Sequence, residues 1–309
     1  MNFAQTAKRV LLFVAVNILV LLTIHFVLSL LGLNLRFRGR NYEFLLMGCL
    51  VWGMGGAFIS LALSRFMAKL FMRVQVIDPR TSDPEMRELV TIVHGIAQRA
   101  RLPAMPEVGI YESPDVNAFA TGPSRSSSLV AVSTGLLHTM DRSQLEGVIG
   151  HEVAHIANGD MVTMTLLQGV INAFVLFLAH ILAFFVAQAL RSRDDDNRGG
   201  TSFFEWILSM LFQVVFSLLG AIVVCWFSRW REFRADAGGA QFAGRTEMAS
   251  ALRGLQQLHS QPSLAAGMHS HDSSGFQSLK IDSAPGWMRL FATHPPIEER
   301  IARLERSAR

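Results

Sequence analysis

The segment His151-Glu152-Val153-Ala154-His155 places two imidazoles and a carboxylate in one short run. Side chains four residues apart share a helix face, so both imidazoles can bind a single Zn²⁺ at about 2.0–2.1 Å. Glu152 follows the first of them, where a carboxylate reaches a metal-bound water without itself becoming a ligand. The alternative is a helix whose histidines are merely solvated. A catalytic zinc takes three protein ligands and keeps one position for water. Arg231-Glu232-Phe233-Arg234-Ala235-Asp236 offers a third ligand, because Glu232 and Asp236 again lie four apart. Glu232 would bind the metal, and Asp236 would accept the N–H of a ligand imidazole and hold its tautomer. On spacing alone, a basic-acidic helix surface beside a membrane accounts for the same residues equally well.

The elements that must position these groups are unusually apolar. Of 309 residues, 50% are hydrophobic and 17% charged, with mean hydropathy +0.33, whereas an ordinary soluble domain carries roughly 25% charged residues. This excludes a disordered chain, and two cysteines exclude a disulfide-stapled secreted module. Cys49 and Cys225 both fall inside apolar runs and are not expected to pair. The formal net charge is +4. Its scattered basic residues flank apolar runs and point to a membrane rather than to nucleic acid.

Four stretches contain no Asp, Glu, Lys or Arg: Val10–Leu35, Phe44–Ser64, Met161–Leu190 and Trp206–Ser228. Each reaches the ~20 residues that a bilayer-spanning helix needs, although Gln168, Asn172, His180 and Gln213 leave open that the last two lie partly against protein. The first is too long for a signal-peptide core and reads as an uncleaved anchor. The expected organisation is a membrane anchor over 1–64, a first catalytic block over 65–160, a hydrophobic hairpin over 161–228 and a second catalytic block over 229–309. Four spans would return Glu232 to the face and depth of His155. The distribution of Arg and Lys near the span ends favours both blocks in the cytoplasm.

In the first block, Asp83-Pro84 signals a helix start. Strands are expected at Pro106–Tyr111 and Ser128–Ser133, separated by a turn at Thr121-Gly122-Pro123-Ser124. Asp141 with Gln144 resembles a capping box that opens the helix carrying His151 and His155, and Asn158-Gly159 ends it. In the second block, Ser260–Gly286 is rich in Ser, Gly and Pro and reads as a loop. A short amphipathic helix follows Pro295-Pro296 with Ile297, Ile301 and Leu304 inward. The fold class is thus an integral membrane protein, mainly α with a small β-sheet: an α+β catalytic domain plus four hydrophobic helices. His25, His180, His259, His269, His271 and the Asp194-Asp195-Asp196 triplet are assigned no role.

With these residues in place, the chain resembles the HtpX-type membrane metalloproteases, bacterial relatives of the CAAX prenyl proteases in the gluzincin group. The resemblance rests on His-Glu-Val-Ala-His at 151–155, Glu-Phe-Arg-Ala-Asp at 232–236, Asn-Ala-Phe-Ala-Thr-Gly at 117–122, Val-Ala-Val-Ser-Thr-Gly-Leu-Leu at 130–137 and Thr-His-Pro-Pro at 293–296. It implies a zincin-like domain, one Zn²⁺ per chain held by His151, His155 and Glu232, and Glu152 as catalytic base. It further implies a multi-pass protein of the bacterial inner membrane whose catalytic domain faces the cytoplasm. Its partners would be the lipid bilayer and membrane-protein or unfolded polypeptide substrates, in quality control and stress response. His294 is a candidate oxyanion donor, or else a helix-start histidine. Asn117 belongs to a substrate-holding edge strand, or else to an ordinary turn. A prenyl-protein processing peptidase is the alternative, disfavoured because such relatives usually have more spans. Oligomeric state is not legible.

Overall fold

The computed structural model describes residues 42–190, 198–260 and 288–306. The expected first span, the basic turn up to Arg40, His25, the Asp194–Asp196 triplet, His269, His271 and nearly all of the 260–286 loop lie outside the described residues, as does the side chain of His259. The described elements are α1 (Tyr42–Phe71), β1 (Gln75–Val76), α2 (Pro84–Arg99), β2 (Glu107–Tyr111), β3 (Ala118–Ser124), β4 (Ser127–Ser133), α3 (Thr134–Thr139), α4 (Arg142–Asn158), α5 (Asp160–Ala189), α6 (Arg198–Phe242), α7 (Arg245–Ser260), a 3₁₀ turn (Met288–Phe291) and α8 (Ile297–Arg306). They fall into two compact units, one of residues up to Ile59 with Thr165–Ala221, the other of Ser60–Met164 with Ile222–Arg309.

In the first unit the apolar stretches are continuous helix. Among the described residues, Phe44–Phe71, Asp160–Ala189 and Phe203–Phe242 are long and apolar enough to cross a membrane. Cys49, Phe177 and Ile181 form a small buried cluster there. The two cysteines are free, as expected.

The second unit holds a four-stranded mixed sheet in the order β1-β2-β4-β3. β2 runs parallel to β4, pairing Val108 with Val130 and Ile110 with Val132. β3 runs antiparallel to β4 and forms an edge. One expectation fails here: Thr121–Ser124 is not the turn but the end of β3, and the chain reverses at Arg125-Ser126. Gly122, at φ 144, absorbs a register shift between Thr121 and Ser124. A glycine inside a strand thus marks an irregular ladder rather than its end.

Local signals set the helix ends. The Asp83 carboxylate accepts the backbone N–H groups of Glu85 and Met86 at the head of α2. The Asp141 carboxylate accepts the Gln144 N–H at 2.9 Å while the Gln144 side chain accepts the Asp141 N–H at 3.2 Å, the reciprocal box that starts α4. Gly159 ends α4 in the left-handed region, φ 67. One face of α4 enters the core: Ile149, Val153 and Ile156 pack with Val93 and Ile96 of α2 and Val130 and Val132 of β4. The other face packs against α6 and α7. A side-chain carbon on Gly150 would collide with Ala243 and crowd the backbone of Gly239, and one on Gly147 would collide with the backbone of Glu247. α8 completes the unit by seating Leu304 against Met248 and Leu252 of α7.

Candidate metal centre

The close approach of α4 to the end of α6 brings both sequence motifs to one place. His151 and His155 project from the side of α4 opposite Ile149 and Val153, and their Nε2 atoms lie 3.2 Å apart. Glu232, on α6, is completely buried, with Oε2 3.2 Å from His151 Nε2 and Oε1 3.4 Å from His155 Nε2. Among the described residues, His151, His155 and Glu232 stand out as a group able to hold a metal ion.

Each imidazole is oriented from behind. His151 Nδ1 lies 3.0 Å from Asp236 Oδ1, the contact expected from the four-residue spacing. His155 Nδ1 lies 2.8 Å from Asp160 Oδ2, a partner not anticipated. A carboxylate only accepts, so both Nδ1 atoms donate, and the Nε2 atoms that face Glu232 are the ones whose hydrogen a bound metal would replace. Asp236 is itself held by Arg300 of α8, whose Nη2 donates to Oδ1 at 2.6 Å and whose Nε donates to Oδ2 at 2.9 Å. Arg300 Nη2 is also 4.0 Å from Glu232 Oε2. Burial alone would lower the imidazole pKa values. Hydrogen bonds to Asp236 and Glu232 reverse this for His151 and hold it up to about 10; bonds to Asp160 and Glu232 likewise raise His155. Burial would equally lower Arg300, but Asp236 raises it.

The donor set fits a divalent metal. Nitrogen–nitrogen–oxygen sets of two histidines and a glutamate are characteristic of catalytic zinc. The buried carboxylates of Glu232 and Asp236 lie within 4.0 Å of the buried guanidinium of Arg300, Arg231 Nη2 is 3.3 Å from Glu232 Oε1, and the buried carboxylate of Asp160 faces His155. With both imidazoles neutral, as ligands of a metal must be, the three carboxylates outnumber the guanidiniums of Arg300 and Arg231 by one charge, which a dication would offset.

The remaining expected residues gather at the same cavity of about 370 Å³, which Asn117, Glu152, Arg231 and His294 line together with His151, His155 and Glu232. Glu152 is half-buried. His294 Nδ1 is 2.8 Å from Glu232 Oε2, so its first partner is a carboxylate of the candidate metal group. Asn117 directly precedes β3, tied to Ser133 by its backbone N–H at 3.1 Å to Oγ and its carbonyl at 3.0 Å to the Ser133 N–H. Ala118, Phe119 and Ala120 of the edge strand line the cavity beside it.

Asp160, Arg300 and Arg231 were missed. Arg300 carried a signal: it lies between the inward residues Ile297 and Ile301, where a cation on an apolar face requires a buried partner. Asp160 carried none that spacing reveals.

Residues 84–308 match peptidase family M48. The chain is 47% identical over 302 residues to a protease HtpX homolog of Methylacidiphilum infernorum (isolate V4), covering 97% of this chain and 98% of that one. It is 48% identical over 308 residues to the homolog of Bacillus subtilis (strain 168), covering 97% and 99%. Protease HtpX of Thioalkalivibrio sulfidiphilus (strain HL-EbGR7) is 45% identical over 303 residues. The crystal structure of S. mikatae Ste24p superposes with a TM-score of 0.58 at 15% identity. The match covers 97% of this chain but 65% of that one, just under two thirds of its length, and it concerns the fold.

Proposed function

This chain belongs to peptidase family M48 and is a membrane metalloprotease, and we propose that its metal is zinc, held by His151, His155 and Glu232 with Glu152 as the base. The observation that carries the proposal is the convergence of two Nε2 atoms and one buried carboxylate within 3.4 Å of one another, with both Nδ1 atoms engaged by carboxylates. Zinc bound there supplies Lewis-acid polarisation of a peptide carbonyl and acidification of water. Glu152, on the helix turn of His151 and His155 and lining the same cavity, takes the proton of the attacking water and passes it to the leaving amine nitrogen. An extended substrate adds to the β3 edge through main-chain hydrogen bonds, beside Asn117. His294 donates to the developing oxyanion. Its Nδ1 already faces Glu232 Oε2 at 2.8 Å, so Nε2 is the ring nitrogen left for this role.

The substrates that fit this site are membrane-protein segments and unfolded polypeptides reached from the cytoplasmic side of a bacterial inner membrane, in quality control and stress response. This orientation rests on the distribution of Arg and Lys near the span ends. The catalytic blocks proposed are 65–160 and 229–309, with membrane segments at 1–64 and 161–228. The prenyl-processing alternative is weaker, since the nearly full-length relatives at 45–48% identity are HtpX proteases.

Metal analysis beside casein cleavage by the detergent-solubilised full chain tests the proposal. Wild type should hold one zinc and lose cleavage on chelation. Glu152→Gln should keep zinc and lose about 10²–10⁴-fold in rate, and Glu232→Ala should lose zinc. Full activity of Glu152→Gln, or unchanged zinc in Glu232→Ala, removes that residue from its role.

A further inference from the structure

We propose that Asp160 is a positioning residue of the metal centre, its carboxylate selecting the nitrogen that His155 offers to the metal. The proposal rests on the metal site described above and adds a residue to it. Asp160 is 3% exposed, and its Oδ2 is 2.8 Å from His155 Nδ1. A carboxylate in that position accepts the Nδ1 hydrogen and leaves Nε2, 3.2 Å from His151 Nε2 and 3.4 Å from Glu232 Oε1, as the nitrogen a metal would take.

The contact depends on a break in the helix. At 3.6 residues per turn, a residue five positions on lies about 140° around the axis, away from the face that carries His155. Gly159, at φ 67, ends α4 between them, and its N–H bonds back to His155 O and Ile156 O. Asp160 then begins α5 and swings back under the imidazole. The left-handed cap therefore does more than terminate α4, because it delivers a partner to a ligand of the same helix.

Asp160 and Asp236 do the same task with different charge compensation. Asp236 is clamped by Arg300 through two hydrogen bonds. Asp160 is the acidic residue in the first turn of α5, where the positive end of a helix favours an anion. Neutralising Asp236 strands a buried guanidinium that keeps its charge, whereas neutralising Asp160 leaves an imidazole that can release its proton. Asp160 is thus the position at which orientation of a ligand separates from stability of the fold.

The test uses the metal-stripped full chain in detergent, zinc affinity measured by competition with a fluorescent chelator, and the absorption spectrum of the cobalt-substituted protein. Asp160→Ala should weaken zinc about 10–100-fold and shift the cobalt bands. Asp160→Asn keeps an acceptor without the charge and should fall between it and wild type, with the melting temperature of the metal-free protein unchanged. If Asp160→Ala does not fold, Asp160→Asn against wild type decides alone. Zinc affinity within twofold of wild type and unshifted cobalt bands in the folded variants overturn the proposal. So does a lowered melting temperature with unaltered affinity, which would mark a plain helix cap. Absence of zinc binding by wild type would instead overturn the metal assignment itself.

Discussion

The two units differ in what they expose and in what they bury beside their apolar residues. In the unit that contains the first part of α1, Phe44 and Trp52 are 79% and 78% exposed, because hydrocarbon is the solvent for which those faces are built. In the sheet-containing unit, Ile96 and Ile149 are fully buried, and so is the charged Glu232. Apolar surface thus faces outward where lipid receives it, and charge goes inward where partners receive it. The contrast teaches that a buried carboxylate in this chain has to be accounted for by its partners, and the metal role proposed for Glu232 would account for it. Such groups tend to cost more than they contribute unless every one of them is paired.

The largest effect that sharpens the contrast is expected at Arg300. Arg300→Met leaves Asp236 buried without its cation and should destabilise the metal-free protein by about 3–5 kcal/mol, measured by denaturant unfolding. Combined with Asp236→Asn it should cost less than the sum of the two single changes. Additive costs would show that the pair does not act as a unit. At the outward apolar face, Ile59→Asp should disfavour insertion of α1 by about 2.5–3.5 kcal/mol, seen as chain released from membranes by alkaline extraction. Full retention would mean that Ile59, 62% exposed, does not face lipid. The smallest effect compares one methyl group in two places. Ile149→Val should cost about 0.5–1.5 kcal/mol, while Ile59→Val should stay within about 0.5 kcal/mol. Equal costs would break the distinction between the two units.

Much of this was legible in the sequence because the signals are local. The Asp141–Gln144 box, the Asp83-Pro84 start, the apolar runs that become α1, α5 and the first part of α6, and the inward face of α8 each depend on residues within a few positions of one another. The turn expected at Thr121–Ser124 failed because Gly122 and Pro123 carry the same local signal whether the chain reverses or a ladder shifts register. Only pairing with β4 distinguishes the two. Of the site, His151, Glu152, His155, Glu232, Asp236, His294 and Asn117 all line or adjoin one cavity. Asp160 stayed hidden because the spacing from His155 makes sense only after Gly159 breaks the helix.

Helical periodicity within one segment was enough to place His151 beside His155 and Glu232 beside Asp236, and chain chemistry alone was enough to demand lipid around the apolar runs. That the two pairs face each other was decided by tertiary packing. Glycines at 147, 150 and 239 let three helix backbones approach too closely for any side chain, and α8 brings Arg300 across from the far end of the sequence. Periodicity is a property of neighbours along the chain, whereas a metal centre closed by buried charges is a property of surfaces that meet only after folding.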